Sequence, residues 1–296
     1  MSNTLEISNL SKSYKGFHLD NVSFSLPKGY IMGLIGSNGS GKTTIIKIIM
    51  NLIMKQSGDV KIFGEDHLAN EVEVKKRIGF VYDTPTYYDH LSLKQFKNTI
   101  APFYDEWDDA VYDNLVKRFK LPLHKKLKTF SKGMAMKSAI AIALSHNADF
   151  IIMDEPTSNL DPVVRRELLD FFRELIQDEN KSILFSSHIT TDLEQIADYI
   201  TYINEGKLVF SKTKDEVFET YALVKGGNEL LDADTEKSFV AVKSLAYGFE
   251  ALTKDVKATR KLFGNSVVYD KASLEDIMFY TNLETENKVK DASTGY

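Results

Sequence analysis

An α/β fold, in which parallel strands joined by helical crossovers surround a phosphate-binding loop, is predicted by three observations. A glycine-rich stretch, Gly36-Ser37-Asn38-Gly39-Ser40-Gly41-Lys42-Thr43-Thr44, sits between an apolar run and a helical run. A second apolar run, Phe150-Ile151-Ile152-Met153, delivers two adjacent carboxylates, Asp154 and Glu155. Around these, short strand-like runs alternate with longer helical ones, the pattern of a sheet covered by helices.

Residues 4–8 and 21–26 read as strands, and Pro27-Lys28-Gly29 reads as a turn before a buried strand over 30–35. The glycine-rich stretch that follows satisfies G-x-x-x-x-G-K-[ST]. Its glycines let the backbone turn tightly around an anion, so that the N–H groups of Ser37, Asn38, Gly39, Ser40, Gly41 and Thr44 point inward. The start of the next helix, over 44–50, adds its positive dipole end. Lys42 would neutralise β/γ-phosphate charge, and the Thr43 hydroxyl would ligate Mg²⁺. The expected ligand is a nucleoside triphosphate.

Further strands are expected over 58–63, 79–82, 150–153, 183–186 and 200–203. From 91 to 145 the pattern turns helical and charged. The acidic run Asp105-Glu106-Trp107-Asp108-Asp109 and the basic run Lys125-Lys126-Leu127-Lys128 read as solvated faces or loops. No internal repeat interrupts this order.

Composition narrows the function classes. A chain of 296 residues accommodates one large domain and a smaller one, and its 43% hydrophobic and 27% charged residues are ordinary for a globular protein. A net charge of −5 argues against a partner bound through bulk positive charge, so no nucleic acid is expected. With no cysteine, disulfides, thiolate metal sites and thiol catalysis are excluded. Met-Ser-Asn-Thr-Leu-Glu offers no secretory signal, and no apolar run reaches the roughly 20 residues that span a bilayer, so an intracellular, non-integral protein is expected.

The carboxylates after Met153 carry the second half of the chemistry. A buried strand places them at its C-terminal edge, where α/β sheets keep their ligands. There Asp154 would hold Mg²⁺ opposite Thr43, and Glu155 would orient and deprotonate a water attacking the γ-phosphate. An acid in that position fits hydrolysis rather than storage of the nucleotide.

Over residues 4–218 the chain resembles the nucleotide-binding subunit of ABC transporters. Phe130-Ser131-Lys132-Gly133-Met134 is similar to that family's signature loop, usually Leu-Ser-Gly-Gly-Gln. Ser158-Asn159-Leu160-Asp161 resembles its D-loop, His188 after Ser186-Ser187 its switch histidine, and Tyr14 the aromatic that stacks on adenine. The resemblance implies an α/β fold class: a P-loop NTPase ABC-type nucleotide-binding core over 1–212 with a helical insert subdomain at about 85–145. To this the chain adds a small C-terminal α+β domain over 213–283 and a flexible tail over 284–296. ATP and Mg²⁺ are the implied cofactors.

The resemblance also implies geometry and partners. Two subunits, as a homodimer or heterodimer, would face each other head to tail around ATP. The γ-phosphate would accept hydrogen bonds in trans from Ser131 and the Gly133 N–H, with Lys132 and Asp161 beside it, while His188 senses the phosphate in cis. The partner implied is an integral-membrane transporter subunit, which places the chain in the cytoplasm, peripheral on the inner face of the cell membrane. The wording Phe-Ser-Lys-Gly-Met is similar to that of bacterial exporter ATPases for drugs, lipids or amphipathic and antimicrobial peptides. Tyr87, Tyr88 and Phe103, in the helical insert, are the candidate docking contacts. Two other readings stand beside this one: an ABC ATPase gating a self-protection or sensing partner without net transport, and a soluble one acting on ribosomes or DNA.

Two departures from the family pattern are visible. The Q-loop glutamine is replaced by Asp83, which is shorter and anionic and could bind the metal directly. A signature glycine is replaced by Lys132, a cation that could either meet the trans phosphate or point to water. Beyond residue 213, strands are expected over 221–224, 239–242 and 267–269. Helices are expected over 255–263 and 273–280, the latter capped by Ser273 with Asp276 three residues on. This resembles the accessory domain of some exporter ATPases, and regulation, dimer contact and cover for the core's edge are all open to it.

Overall fold

Alternating burial along the first two segments explains why they are strands. Leu5, Ile7 and Leu10 of β1 (Asn3–Tyr14) and Leu19, Val22, Phe24 and Leu26 of β2 (Phe17–Pro27) all turn inward, as a half-buried antiparallel pair requires. Both strands run longer than the sequence predicts because register shifts near Ile7 and Leu10 let β1 bend without ending. The computed structural model describes residues 2–83 and 89–294, with side chains to Asn287. The chain divides into two compact units, residues 1–211 and 212–296.

In the first unit, β3 (Ile31–Ile35) is buried throughout and leads through the glycine-rich loop to α1 (Lys42–Ile49). Next, β4 (Ser57–Ile62) and β5 (Glu65–Asp66) return to the first pair and complete a sheet of order β2-β1-β4-β5. After α2 (Glu71–Lys76) and β6 (Ile78–Val81) come the helices of the insert, α3 (Leu93–Ile100), α4 (Asp109–Arg118) and α5 (Lys132–Leu144). Ser92 opens α3 with a capping box: its hydroxyl accepts from the Gln95 N–H at 3.3 Å, and the Gln95 side chain accepts from the Ser92 N–H at 2.9 Å.

The chain then alternates through β7 (Phe150–Asp154), α6 (Pro162–Leu175), β8 (Ser182–Ser187), α7 (Thr190–Ile196), β9 (Tyr199–Asn204) and β10 (Lys207–Thr213). The central sheet has the order β10-β9-β3-β8-β7-β6, with β9, β3, β8, β7 and β6 mutually parallel. Residues of α1 (Ile45, Ile46, Ile48), β3 (Met32, Leu34), β7 (Phe150, Ile152) and β8 (Leu184) share one core with the buried faces of β1, β2 and β4. That burial anchors α1, and with it the loop that precedes it. Phe103, at the end of a short 3-10 turn, is 72% exposed; Tyr87 and Tyr88 lie outside the described residues. Among the described residues no helix is long and apolar enough to cross a membrane.

In the second unit, α8 (Lys214–Thr220) precedes β11 (Ala222–Gly226), β12 (Ala241–Leu245), β13 (Gly248–Thr253), α9 (Val256–Phe263), β14 (Val268–Lys271) and α10 (Leu274–Thr294). Its sheet has the order β12-β13-β11-β14 and every pairing is antiparallel. Val224, Phe239, Phe249, Ala251, Phe263 and Val267 form its core. Two sequence expectations are corrected here. Strand β13 was not foreseen, because Glu250 and two small residues break its apolar run, yet it pairs on both sides. The tail expected to be flexible from residue 284 is helical to Thr294. No glycine or proline interrupts that stretch, and the Thr281 and Thr285 hydroxyls donate to the carbonyls of Ile277 (2.7 Å) and Thr281 (3.1 Å).

Two buried histidines give the first unit a pH-dependent stability. His146 stacks on Tyr104 with ring centroids 3.9 Å apart, and its Nε2–H donates to the Ile78 carbonyl at 3.1 Å. His67 donates from Nδ1 to the Val60 carbonyl at 3.1 Å. Burial holds both imidazoles below the usual histidine value. Below pH about 6.5 the unfolded chain therefore binds protons that the native chain refuses, and stability falls as pH falls. Each histidine should cost up to about 1.4 kcal/mol per pH unit there, read as a declining urea midpoint from about pH 7.5 to about pH 5.5. In His146→Gln that slope should flatten.

Candidate active site

The glycine-rich loop takes its shape from what surrounds it. Gly39 and Gly41 have φ of 81° and 115°, which side-chain-bearing residues rarely adopt. A Cβ at Gly41 would also come within 2.9 Å of the Phe17 ring. Lys42 opens α1 and is only 5% exposed. Its ammonium donates to the carbonyls of Gly36 (2.8 Å) and Ser37 (3.3 Å) and lies 3.7 Å from Glu155 Oε1. Burial pulls the Lys42 pKa below the usual lysine value, and the carboxylates of Glu155 and Asp154 offset part of that shift.

The parallel register of β7 and β8 sets Asp154 opposite Ser186, so the two strands end abreast. The Ser186 hydroxyl donates to Asp154 Oδ1 at 2.5 Å and accepts from the Glu155 N–H at 3.0 Å. On the other side of Asp154, the Thr43 hydroxyl donates to Oδ2 at 3.0 Å. Tyr82 stands near this carboxylate; burial first, then Asp154, pushes its phenol pKa up. Glu155 has a φ of 51°, a left-handed backbone that turns its carboxylate out of the strand direction. Its Oε2 lies 2.6 Å from His188 Nδ1 and accepts from the His188 N–H at 3.3 Å.

Together these groups line a cleft of about 930 Å³. Of the residues singled out from sequence, Asn38, Gly39, Gly41, Lys42, Thr43, Thr44, Asp83, Lys132, Glu155, Ser158, Asn159, Leu160 and His188 line it. Asp154 is buried and reaches it through Thr43. The others sit elsewhere among the described residues. Ser37 offers its carbonyl to Lys42, while Ser40 is buried and its carbonyl accepts from the Gly206 N–H at 2.9 Å. Ser131 caps α5, its hydroxyl accepting from the Met134 N–H at 3.2 Å. Gly133 packs so closely that a Cβ would stand 3.1 Å from Val164. Asp161 caps α6, accepting from the N–H groups of Val163 (3.1 Å) and Val164 (3.0 Å).

Tyr14, read as the adenine aromatic, is 46% exposed at the end of β1, with the Lys12 ammonium 5.3 Å from its ring centroid. Its cross-strand partner is Phe17, and it is Phe17 that lines the cleft. Sequence reasoning missed Phe17, whose only clue is a second aromatic three residues after Tyr14. It also missed the task of Ser186, although a hydroxyl ending a buried strand beside His188 was visible.

The sequence profile of the ABC transporter family matches residues 19–158. The bacitracin transport ATP-binding protein BcrA of Bacillus licheniformis is 33% identical over 212 residues, 71% of this chain and 69% of that protein. The lantibiotic transport ATP-binding protein SrtF of Streptococcus pyogenes is 35% identical over 213 residues, 71% of this chain and 91% of that protein. Among solved structures, an ATP-binding subunit of an ABC transporter superposes with a TM-score of 0.66 at 29% identity, covering 72% of this chain and 91% of that one. A dimeric ATP-binding cassette in a post-hydrolysis state with ADP and Pi gives 0.63 at 23% identity over 71% of this chain and 98% of its own, a likeness of fold. With the loop, the paired carboxylates and these relatives in agreement, the chain belongs to the ABC transporter family as an ATP-binding subunit that hydrolyses ATP.

Proposed function

We propose that this ATPase dimerises around ATP and powers export of a drug, lipid or amphipathic antimicrobial peptide through a separate integral-membrane subunit. The observation that carries the reading is the 35% identity to a lantibiotic transport ATP-binding protein across 91% of that relative. The match to a bacitracin transport ATP-binding protein supports it. On this reading the chain works in the cytoplasm, bound peripherally to the inner face of the membrane through its partner.

The donor set fits Mg²⁺. A hydroxyl and a carboxylate stand side by side at Thr43 and Asp154, and Asp83 lines the same cleft, so oxygen ligands are available for a hard cation that keeps part of its water shell. Magnesium held by Thr43 and Asp154 would neutralise charge on the β- and γ-phosphates. The loop from Ser37 to Thr44 cradles the phosphates, and Lys42 exchanges its contacts to the loop carbonyls for the phosphate oxygens. Phe17, which lines the cleft, supplies a flat face for the base, with Tyr14 as its cross-strand neighbour.

Glu155 is the general base. Its carboxylate accepts the proton of a water aimed at the γ-phosphate, and the left-handed backbone at Glu155 aims that carboxylate into the cleft. His188, 2.6 Å away, holds the carboxylate in place and reads the γ-phosphate beside it. From the second subunit, Ser131, Lys132 and the Gly133 N–H at the start of α5 meet the same phosphate, with Asp161 holding the loop that approaches it. Hydrolysis removes the group that both halves grip, and the clamp opens.

Three tests follow the chemistry. Glu155→Gln should lower ATP turnover by about 10²–10³-fold while ATP binding persists and an ATP-dependent dimer accumulates in size-exclusion chromatography; wild-type turnover in that variant would displace Glu155 as the base. Asp83→Gln should change steady-state ATPase or its coupling to transport while nucleotide Kd stays within about twofold; unchanged rates would remove Asp83 from the mechanism. Affinity purification of this chain from detergent-solubilised membranes of its own cell should recover a multi-helix membrane protein in stoichiometric amount. Recovery from the cytosol alone, or with ribosomes, would leave the ATPase intact and overturn the export reading.

A further inference from the structure

Beyond the phosphate cleft, one buried polar cluster joins the two chain segments that carry Glu155 and His188. Past the ends of β7 and β8 these segments diverge. One passes through Pro156-Thr157-Ser158-Asn159 into α6, and the other through Ile189 into α7. Asp192, in the first turn of α7, is 0% exposed. Its Oδ2 accepts from the Thr157 hydroxyl at 2.6 Å, and Thr157 is itself 1% exposed. Its Oδ1 accepts from Arg165 Nε at 2.6 Å and forms an ion pair with Arg165 Nη2 at 2.5 Å. The same guanidinium donates to the Thr191 hydroxyl at 3.0 Å.

This cluster ties three places together: the loop two residues after Glu155, the first turn of α6 and the first turn of α7. Glu155 contributes its own backbone to the same loop, since the Ser158 N–H donates to the Glu155 carbonyl at 3.1 Å. Ser158 and Asn159, between Thr157 and the Asp161 cap, line the nucleotide cleft. A carboxylate taken out of water is retained only where it is paired and fully hydrogen-bonded, as this one is. Its bonds run across the gap between the two segments rather than along either one, so what they fix is the distance between them.

We infer that Asp192 is a positioning residue for ATP hydrolysis: with Thr157 and Arg165 it clamps the Glu155 loop to the His188 segment and sets the 2.6 Å Glu155–His188 contact. The inference rests on the assignment of Glu155 as the base and His188 as its partner. None of the three clamp residues lines the cleft, so on this reading the clamp acts on the chemical step and leaves binding alone. Misplacing a reacting group by about 1 Å can cost on the order of 10²-fold in rate.

The test uses the full-length chain with MgATP and compares Thr157→Val, Thr157→Ser, Asp192→Asn and Glu155→Gln, all scaled to the number of nucleotide-binding sites. Thr157→Val keeps the volume and removes the hydroxyl, whereas Thr157→Ser keeps the hydroxyl. Thr157→Val and Asp192→Asn should lower kcat by about 10- to 100-fold with nucleotide Kd within about twofold, and Thr157→Ser should restore at least half of the parental kcat. Parental kcat per binding site in both Thr157→Val and Asp192→Asn overturns the inference. So does equal loss in Thr157→Ser and Thr157→Val, because the hydroxyl would then not be what matters. Glu155→Gln separates the two levels: if it alone abolishes turnover, the base assignment stands and only the clamp fails. If it turns over normally, the reading beneath the clamp has failed.

Discussion

The site depends on one hydroxyl lodged between two strands. Ser186 donates to Asp154 Oδ1 and accepts from the Glu155 N–H, and it can do both because the parallel register sets it opposite Asp154. Through that oxygen two adjacent carboxylates are held in different directions. Asp154 keeps the β-strand course and reaches Thr43. Glu155 leaves it at a φ of 51° and faces Lys42 and His188. A strand that ends in two acids would ordinarily send them to opposite faces of the sheet. Here the change of backbone conformation at the second acid turns Glu155 into the cleft, while Asp154 stays buried beneath it against Thr43.

The sheet makes this arrangement stable. Phe150, Ile152 and Leu184 pack in the core that also receives Ile45 and Ile48 of α1, so the loop before α1 and the acids after β7 are fixed to one hydrophobic mass. Relative motion between Lys42 and Glu155 would disturb that packing. The backbones of Lys42 and Asp154 belong to buried elements, which leaves the aim of the neighbouring side chains to local hydrogen bonds such as those of Ser186.

Legibility in the sequence followed how local each feature was. The glycine-rich loop, the apolar strand before Asp154 and His188 after Ser186-Ser187 declare themselves over a few residues, and the fold class with the family followed from them. What could not be read depended on pairing. Strand β13 carries Glu250 and small residues, and becomes a strand only because β11 and β12 flank it. The extension of α10 past Tyr280 lacks an apolar stripe to announce it and persists because nothing in its sequence breaks a helix. Phe17 reached the cleft through a cross-strand partnership with Tyr14 that a linear reading did not weigh. Thr157 and Asp192 lie 35 positions apart and meet only in three dimensions.

The lowered pKa of Lys42 reaches beyond electrostatics to how tightly the subunit holds nucleotide. Burial penalises the Lys42 ammonium while Glu155 and Asp154 favour it, so a polyphosphate entering the cleft would meet a cation already stripped of much of its water, and part of the usual desolvation cost of binding is met in the fold itself.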